Sequence, residues 1–291
     1  MNIRHWTIVL LLLVLAAGMA RPVEEDKNRI RRRAPLTTEK QLVVEVGAFT
    51  GNFYLYPGDA DVVYDLSLHY ENSAPVVTYN RMGERGYLNI KAKSFSKERE
   101  ENPESEEVHF NLKDQDCELY VTPAIPVDLR LKFDVVRGEL ELGGLKLENL
   151  ELNAGVSKVL VAFSQPNPIP LEVVRIQAGV GKLRMQGLGN ANFQLLEFEG
   201  GIGTSVLDFS GDFHQNARLR FDVGIGKVTL RLPRTIGVRL KINKSFLSSV
   251  DIDDVYKKGG YYYNDKWGKA PASMDIRINA GIGKVSIEWI D

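Results

Sequence analysis

Leu219-Arg-Phe-Asp-Val-Gly-Ile-Gly-Lys-Val-Thr-Leu-Arg-Leu232 decides how this chain folds, because its alternation of apolar and polar residues slips by one place midway. The expected inward set runs Leu219, Phe221, Val223 and Ile225, then restarts at Val228, Leu230 and Leu232, which puts the change of parity at Gly226-Lys227. Side chains on a strand point alternately to its two faces, so one set stays buried across such a slip only if the backbone bends. Glycine supplies the dihedral freedom for that bend. The stretch predicts a β-strand folded over a corner.

The pattern recurs along the second half of the chain. Aligned on the phase change, its other copies are Phe133-Asp-Val-Val-Arg-Gly-Glu-Leu140, Leu152-Asn-Ala-Gly-Val-Ser-Lys-Val159, Ile176-Gln-Ala-Gly-Val-Gly-Lys-Leu183, Phe198-Glu-Gly-Gly-Ile-Gly-Thr-Ser205 and Ile278-Asn-Ala-Gly-Ile-Gly-Lys-Val285. The expected corner glycines are Gly138, Gly155, Gly179, Gly181, Gly201, Gly203, Gly224, Gly226, Gly281 and Gly283. Repetition at roughly twenty-residue spacing is the signature of stacked units, each burying its apolar face on the next. No stretch beyond the N-terminus sustains a helical period. The expected fold is all-β: a β-solenoid of stacked β-layers over 127–291, preceded by a smaller β-rich module over 41–126.

That N-terminal module is read from alternating runs such as Leu42–Val46, Phe53–Tyr56, Val62–Leu68 and Tyr87–Ile90, punctuated by Gly, Pro and Asn. An acidic segment, Lys97–Glu107, interrupts it and reads as a solvated loop. Residues 21–40 carry Glu24-Glu25-Asp26 and Arg31-Arg32-Arg33 and read as a charged linker. Before them, a short basic start, an apolar run from Thr7 to Ala17 and small residues ending at Ala20 describe a secretory signal over 1–20. Two readings of it stand: cleavage after Ala20, or retention as an anchor, the one route to a membrane. Either places the protein outside the cytoplasm, periplasmic or extracellular.

Composition narrows the partners. With 37 Lys and Arg against 38 Asp and Glu, no field of one sign marks the chain as a nucleic-acid binder. Cys117 is the only cysteine, so there is no internal disulfide and no cysteine zinc site, and its strand-like setting favours a buried thiol. His5, His69, His109 and His214 lack ligand spacing. Gly-Ile-Gly-Lys at 224–227 and 281–284 lacks the earlier glycine and following hydroxyl of a phosphate loop. Asp208, Asp212, Asp222, Asp251, Asp253 and Asp254 fall at outward or turn positions, which disfavours paired-carboxylate cleavage of sugars. No catalytic, cofactor or metal residues are assigned, and the chain is expected not to be an enzyme.

Two surface features remain. Lys158, Lys182, Lys227 and Lys284 recur at one position and read either as solvated corner residues or as a basic stripe for anionic polymers, with Glu139 and Thr204 expected at that position in other units. Tyr256, Tyr261, Tyr263 and Trp267, around a Gly259-Gly260 turn, form the densest aromatic group and the candidate binding surface. The alternative is a hairpin lid with its aromatics packed inward.

Four segments carry a family resemblance: Glu139–Gly155, Leu230–Leu240, Tyr263–Gly268 and Ile276–Ile287. They resemble bacterial toast-rack proteins, related to the C-terminal domain of LiaF-like cell-wall-active antibiotic response proteins and to adhesin-like solenoid domains. The resemblance implies an exported or membrane-associated envelope protein and carries over no catalytic residues. The leading expectation is a non-enzymatic envelope scaffold or binding module whose partner is cell-wall glycan or an envelope protein. The alternatives are an envelope-stress regulator acting through a membrane partner and, behind it, a polysaccharide-active enzyme.

Overall fold

Leu219–Leu232 lies within one bent strand of 18 residues, and strands of this kind stack in register to form most of the molecule. The structure, a computed structural model, describes residues 28–91 and 115–291. The expected signal over 1–20, the acidic segment 97–107, His5 and His109 lie outside the described residues.

The chain begins with β1 (Arg29–Pro35), β2 (Gln41–Pro57), β3 (Val62–Tyr70), β4 (Val76–Met82), β5 (Arg85–Lys91) and β6 (Gln115–Val121). Four long strands follow: β7 (Val127–Glu141), β8 (Leu147–Ala162), β9 (Leu171–Gln186) and, after a 3-10 turn at Leu188–Ala191, β10 (Phe193–Asp208). The chain continues as β11 (Asn216–Pro233), β12 (Gly237–Lys244), β13 (Ser248–Asp251), β14 (Tyr256–Lys258), β15 (Tyr261–Tyr263) and β16 (Ser273–Ile290).

Strands β2, β7, β8, β9, β10, β11 and β16 pair in parallel in that order. Each is a rung bent near its middle, so it contributes two walls, and the return segments close a third. Phe163, Leu188, Phe209 and Phe213 turn inward from that third wall. Parallel pairing leaves buried backbone groups where a rung turns, and asparagines satisfy them. Asn167, 3% exposed, accepts from the Leu147 amide at 3.1 Å and donates to the Leu147 carbonyl at 2.8 Å. Asn264 does the same for Val238 and Ile236, each at 2.8 Å.

Both ends of the stack are covered, which protects open sheet edges from pairing with another chain. At one end β5 and β6 pair with the two halves of β2, and the antiparallel strands β4, β3 and β1 lie beyond them. At the other, β12 and β13 pair with the two halves of β16, and the β14–β15 hairpin continues from β12. Strand β16 enters between β11 and β12, so the last strand in sequence is not the last in space.

Three expectations change. Residues 29–35 are strand β1, with Ile30 and Ala34 against the core, where a charged linker was expected. Alternation sends Arg29, Arg31 and Arg33 to one side and Ile30 and Ala34 to the other, where Arg32 stands between them but stays exposed, as an edge strand allows. Second, the corner in the Leu219–Leu232 stretch comes two residues earlier than the expected Gly226-Lys227. Val223 still faces the interior, Ile225 is 47% exposed and Val228 only 3% exposed, so the slip falls at Gly224 and Ile225 stands outward at the apex. Third, β7 pairs with β8 two residues away from the sequence alignment. Arg137 lies opposite Lys158, and Gly138 lies opposite Val159 inside a straight segment, not at a corner. The 126/127 boundary falls on the loop before β7, and the buried cluster runs across it from Leu42 to Ile287.

Candidate functional site

The corner divides the outer surface into a face formed by the first halves of the rungs and a face formed by the second halves. Their charges are arranged differently. On the first face, polar side chains from neighbouring rungs pair with one another. Glu197 accepts from Arg175 at 3.2 Å and from Arg220 at 3.1 Å, Gln177 bridges Asn153 and Glu199, and Asn279 donates to Asp222 at 2.6 Å.

At the far end of this face the expected aromatic surface comes together. The β14–β15 hairpin turns at Gly259 and Gly260, both at positive φ of 58° and 80°, as a two-residue hairpin turn requires. Tyr256 and Tyr263 stack across it with centroids 5.4 Å apart. Tyr261 and Trp267 lie 6.2 and 6.1 Å from Tyr263. Alternation along β15 sends Tyr262 to the core and leaves Tyr261 and Tyr263 on the outward side, so the inward-packed lid holds for Tyr262 alone.

Arg239, on β12 opposite Tyr263, organises the patch. Its guanidinium lies 5.1 Å from the Tyr261 ring and 4.9 Å from the Trp267 ring, and it makes a two-pronged ion pair with Asp275 at 3.1 and 2.5 Å. Hydrogen bonding to Asp275 raises the Arg239 pKa above its ordinary value. Lys241 adds a second cation 5.7 Å from Tyr261. Each cation–ring contact contributes about 0.5–2 kcal/mol, so the guanidinium fixes the ring orientations before any ligand arrives. Sequence reading missed Arg239. Its partners lie 22–36 residues away, and only the registers of β12 with β15 and with β16 bring them together.

The second face carries the recurring lysines. Arg137, Lys158, Lys182, Thr204, Lys227 and Lys284 are successive partners across β7, β8, β9, β10, β11 and β16. Glu139, expected in this row, sits two residues further along β7. Between the two faces runs the apex row Val156, Val180, Ile202, Ile225 and Ile282, each 46–54% exposed, with Leu247 beside Ile282.

The glycines beside the apex are set by close approach. A Cβ on Gly224 would lie 2.5 Å from the Gly201 carbonyl oxygen, and Gly226, at φ +135°, would place one 1.9 Å from that of Gly203. Gly155, Gly179, Gly201 and Gly281 share the position of Gly224, and Gly181, Gly203 and Gly283 that of Gly226. Elsewhere, Cys117 is buried on β6, and burial pushes its thiol pKa up. Among the described residues, no three His, Cys, Asp or Glu side chains gather as metal ligands would, and no helix is long and apolar enough to cross a membrane.

Together these features define an all-β solenoid with elaborated surfaces. Residues 19–186 match the N-terminal domain of toast_rack, DUF2154, which is more than half of the chain. The chain therefore belongs to the toast-rack family. Similar solved structures include a candidate cell adhesion protein from Clostridium sporogenes, 18% identical with a TM-score of 0.46, where 90% of this chain covers 99% of that one. Another is a candidate adhesin from Bacteroides fragilis, 12% identical with a TM-score of 0.37, where the shares are 90% and 97%. No curated protein matches the chain.

Proposed function

We propose that this protein is a non-enzymatic, exported envelope protein that works as a binding or scaffold module through the aromatic patch on its far end. One observation carries the reading: four aromatic side chains from a hairpin and the following turn cluster on an outward face, and two of them, Tyr261 and Trp267, flank the Arg239 guanidinium. Rings held rigid beside cations suit the C–H faces of sugars or the anchor residues of a protein partner. Membership of the toast-rack family supports a β-rich module whose motifs build the stack. Export rests on the sequence of residues 1–20, a basic start followed by an apolar run and small residues.

The test is retention of the chain from Arg21 onward on purified cell-wall sacculi and on envelope extract, compared with the Tyr261→Ala/Tyr263→Ala/Trp267→Ala variant. Retention lost in the variant at an unchanged melting temperature is the expected result. Equal retention of both proteins removes the patch from the account.

A further inference from the structure

The two faces differ in how their charges are interleaved, and that difference points to a ligand. On the first face acids are interleaved with the cations, the row across β7 to β11 reading Arg130, Glu151, Arg175, Glu197 and Arg220, and Arg175 and Arg220 both pair with Glu197. On the second face Arg137, Lys158, Lys182, Arg184 and Lys227 are exposed, and among the described residues none has a carboxylate at ion-pair distance. Asp251 is held by Lys284 at 2.8 Å and attracts Lys227 only at longer range, and Glu139 is the one carboxylate among the residues that line the groove beside the row.

In-register stacking sets Arg137, Lys158, Lys182 and Lys227 in one row at the spacing of the rungs, about 4.8 Å, with Thr204 as the one neutral step between them and Arg184 beside the row, two residues along β9. Like charges at that spacing repel, and a stack that keeps them unpaired is poised for a counter-charge with its own repeat. Arg137, Lys158, Lys182 and Arg184 border a groove of about 480 Å³ whose other lining includes Tyr54, Glu139, Leu160 and Val206. The apex row Val156, Val180 and Ile202 forms an apolar lip beside the cations. Cations in a line thus alternate with an apolar floor and lip.

We infer that this groove binds a linear anionic polysaccharide along the stack axis, sugar rings on the apolar surfaces and carboxylate or phosphate groups on the cationic row. The site is separate from the aromatic patch and does not depend on it.

Titration calorimetry of the chain from Arg21 onward tests this with polygalacturonate as the carboxylate probe, poly(ribosylribitol phosphate) as the phosphate probe and neutral dextran as control. Saturable binding to at least one anionic polymer in about 0.15 M salt is expected, weakening as salt rises because the contacts are charge-based. The Lys158→Gln/Lys182→Gln/Lys227→Gln variant should lose at least tenfold in affinity. Lys91→Gln/Lys132→Gln/Lys269→Gln, with the same change in net charge, should bind as the parent does. Three results would overturn the inference: equal losses in the two lysine variants, no saturable binding to either polymer, or binding only to phosphatidylglycerol vesicles. Because the groove is read through its lysine variants in calorimetry and the patch through its aromatic variant in the sacculus retention test, failure of one and failure of the other are read separately.

Discussion

At the scale of single residues, backbone proximity is the governing constraint. Gly226 combines a φ of +135° with a carbonyl oxygen 1.9 Å from where a side chain would begin, so no rotamer relieves a substitution. Gly226→Val should cost more than about 4 kcal/mol, read as a collapse in the denaturation midpoint. Gly138 is the contrast: an added Cβ meets its nearest neighbours at 3.5–3.7 Å, and Gly138→Ala should stay within about 1 kcal/mol of the parent. The sequence presents both as glycines in similar company, and only the register of β7 tells them apart. Glu39 is a second constrained residue. Burial on its own would raise its pKa, but hydrogen bonds from the Thr37 and Glu39 amides, Tyr79 and the Thr37 hydroxyl lower it to about 2 from an ordinary 4.5. A group with a depressed folded-state pKa contributes stability that is complete above its unfolded value and is lost as pH falls toward the folded one. Chemical denaturation should therefore show stability falling between pH 4.5 and 2 by on the order of 3 kcal/mol more in the parent than in Glu39→Gln.

At the scale of the rung, the corner was legible and its apex was not. Val223, Ile225 and Val228 are all apolar, and parity alone fits a slip at either Gly224 or Gly226. The convex side of the stacked bend settles the matter by leaving Ile225 outside. Ile225→Ser should change stability by less than about 1 kcal/mol, whereas Val228→Ser should cost roughly 2–4 kcal/mol through lost burial and a cavity. Equal effects in thermal melts would contradict this placement. The aromatic hairpin shows the same division. Its Gly-Gly turn and its rings stand in consecutive sequence, while Arg239 and Asp275 reach it only through long-range pairing. For that reason the candidate surface could be named from the sequence and its organising guanidinium could not.

At the scale of the whole molecule, repeats separated by a regular interval announced a stack, but the order of its ends was invisible. The insertion of β16 between β11 and β12 is decided by which edges remain open, a property of the assembled sheet. Likewise, Phe133 of β7 packs against Phe49 and Phe53 of β2 with centroids 6.2 and 5.1 Å away, so the segments on either side of residue 126 share aromatic core. A fragment of 127–291 should melt well below the full chain or aggregate through the uncovered edge of β7; an equal melting temperature would show that the segment stands alone. Everything rests on neighbouring rungs lying in strict register, which disulfide trapping measures directly. Ile202 and Ile225 are register partners about 4.8 Å apart at the backbone, within the 4.4–6.8 Å span that a disulfide bridges, while Val180 and Ile225 are two rungs apart at about 9.6 Å. Mild oxidation should cross-link Ile202→Cys/Ile225→Cys within the monomer and leave Val180→Cys/Ile225→Cys reduced, whereas an uncrosslinked first pair or an equally crosslinked second pair would contradict the in-register stack.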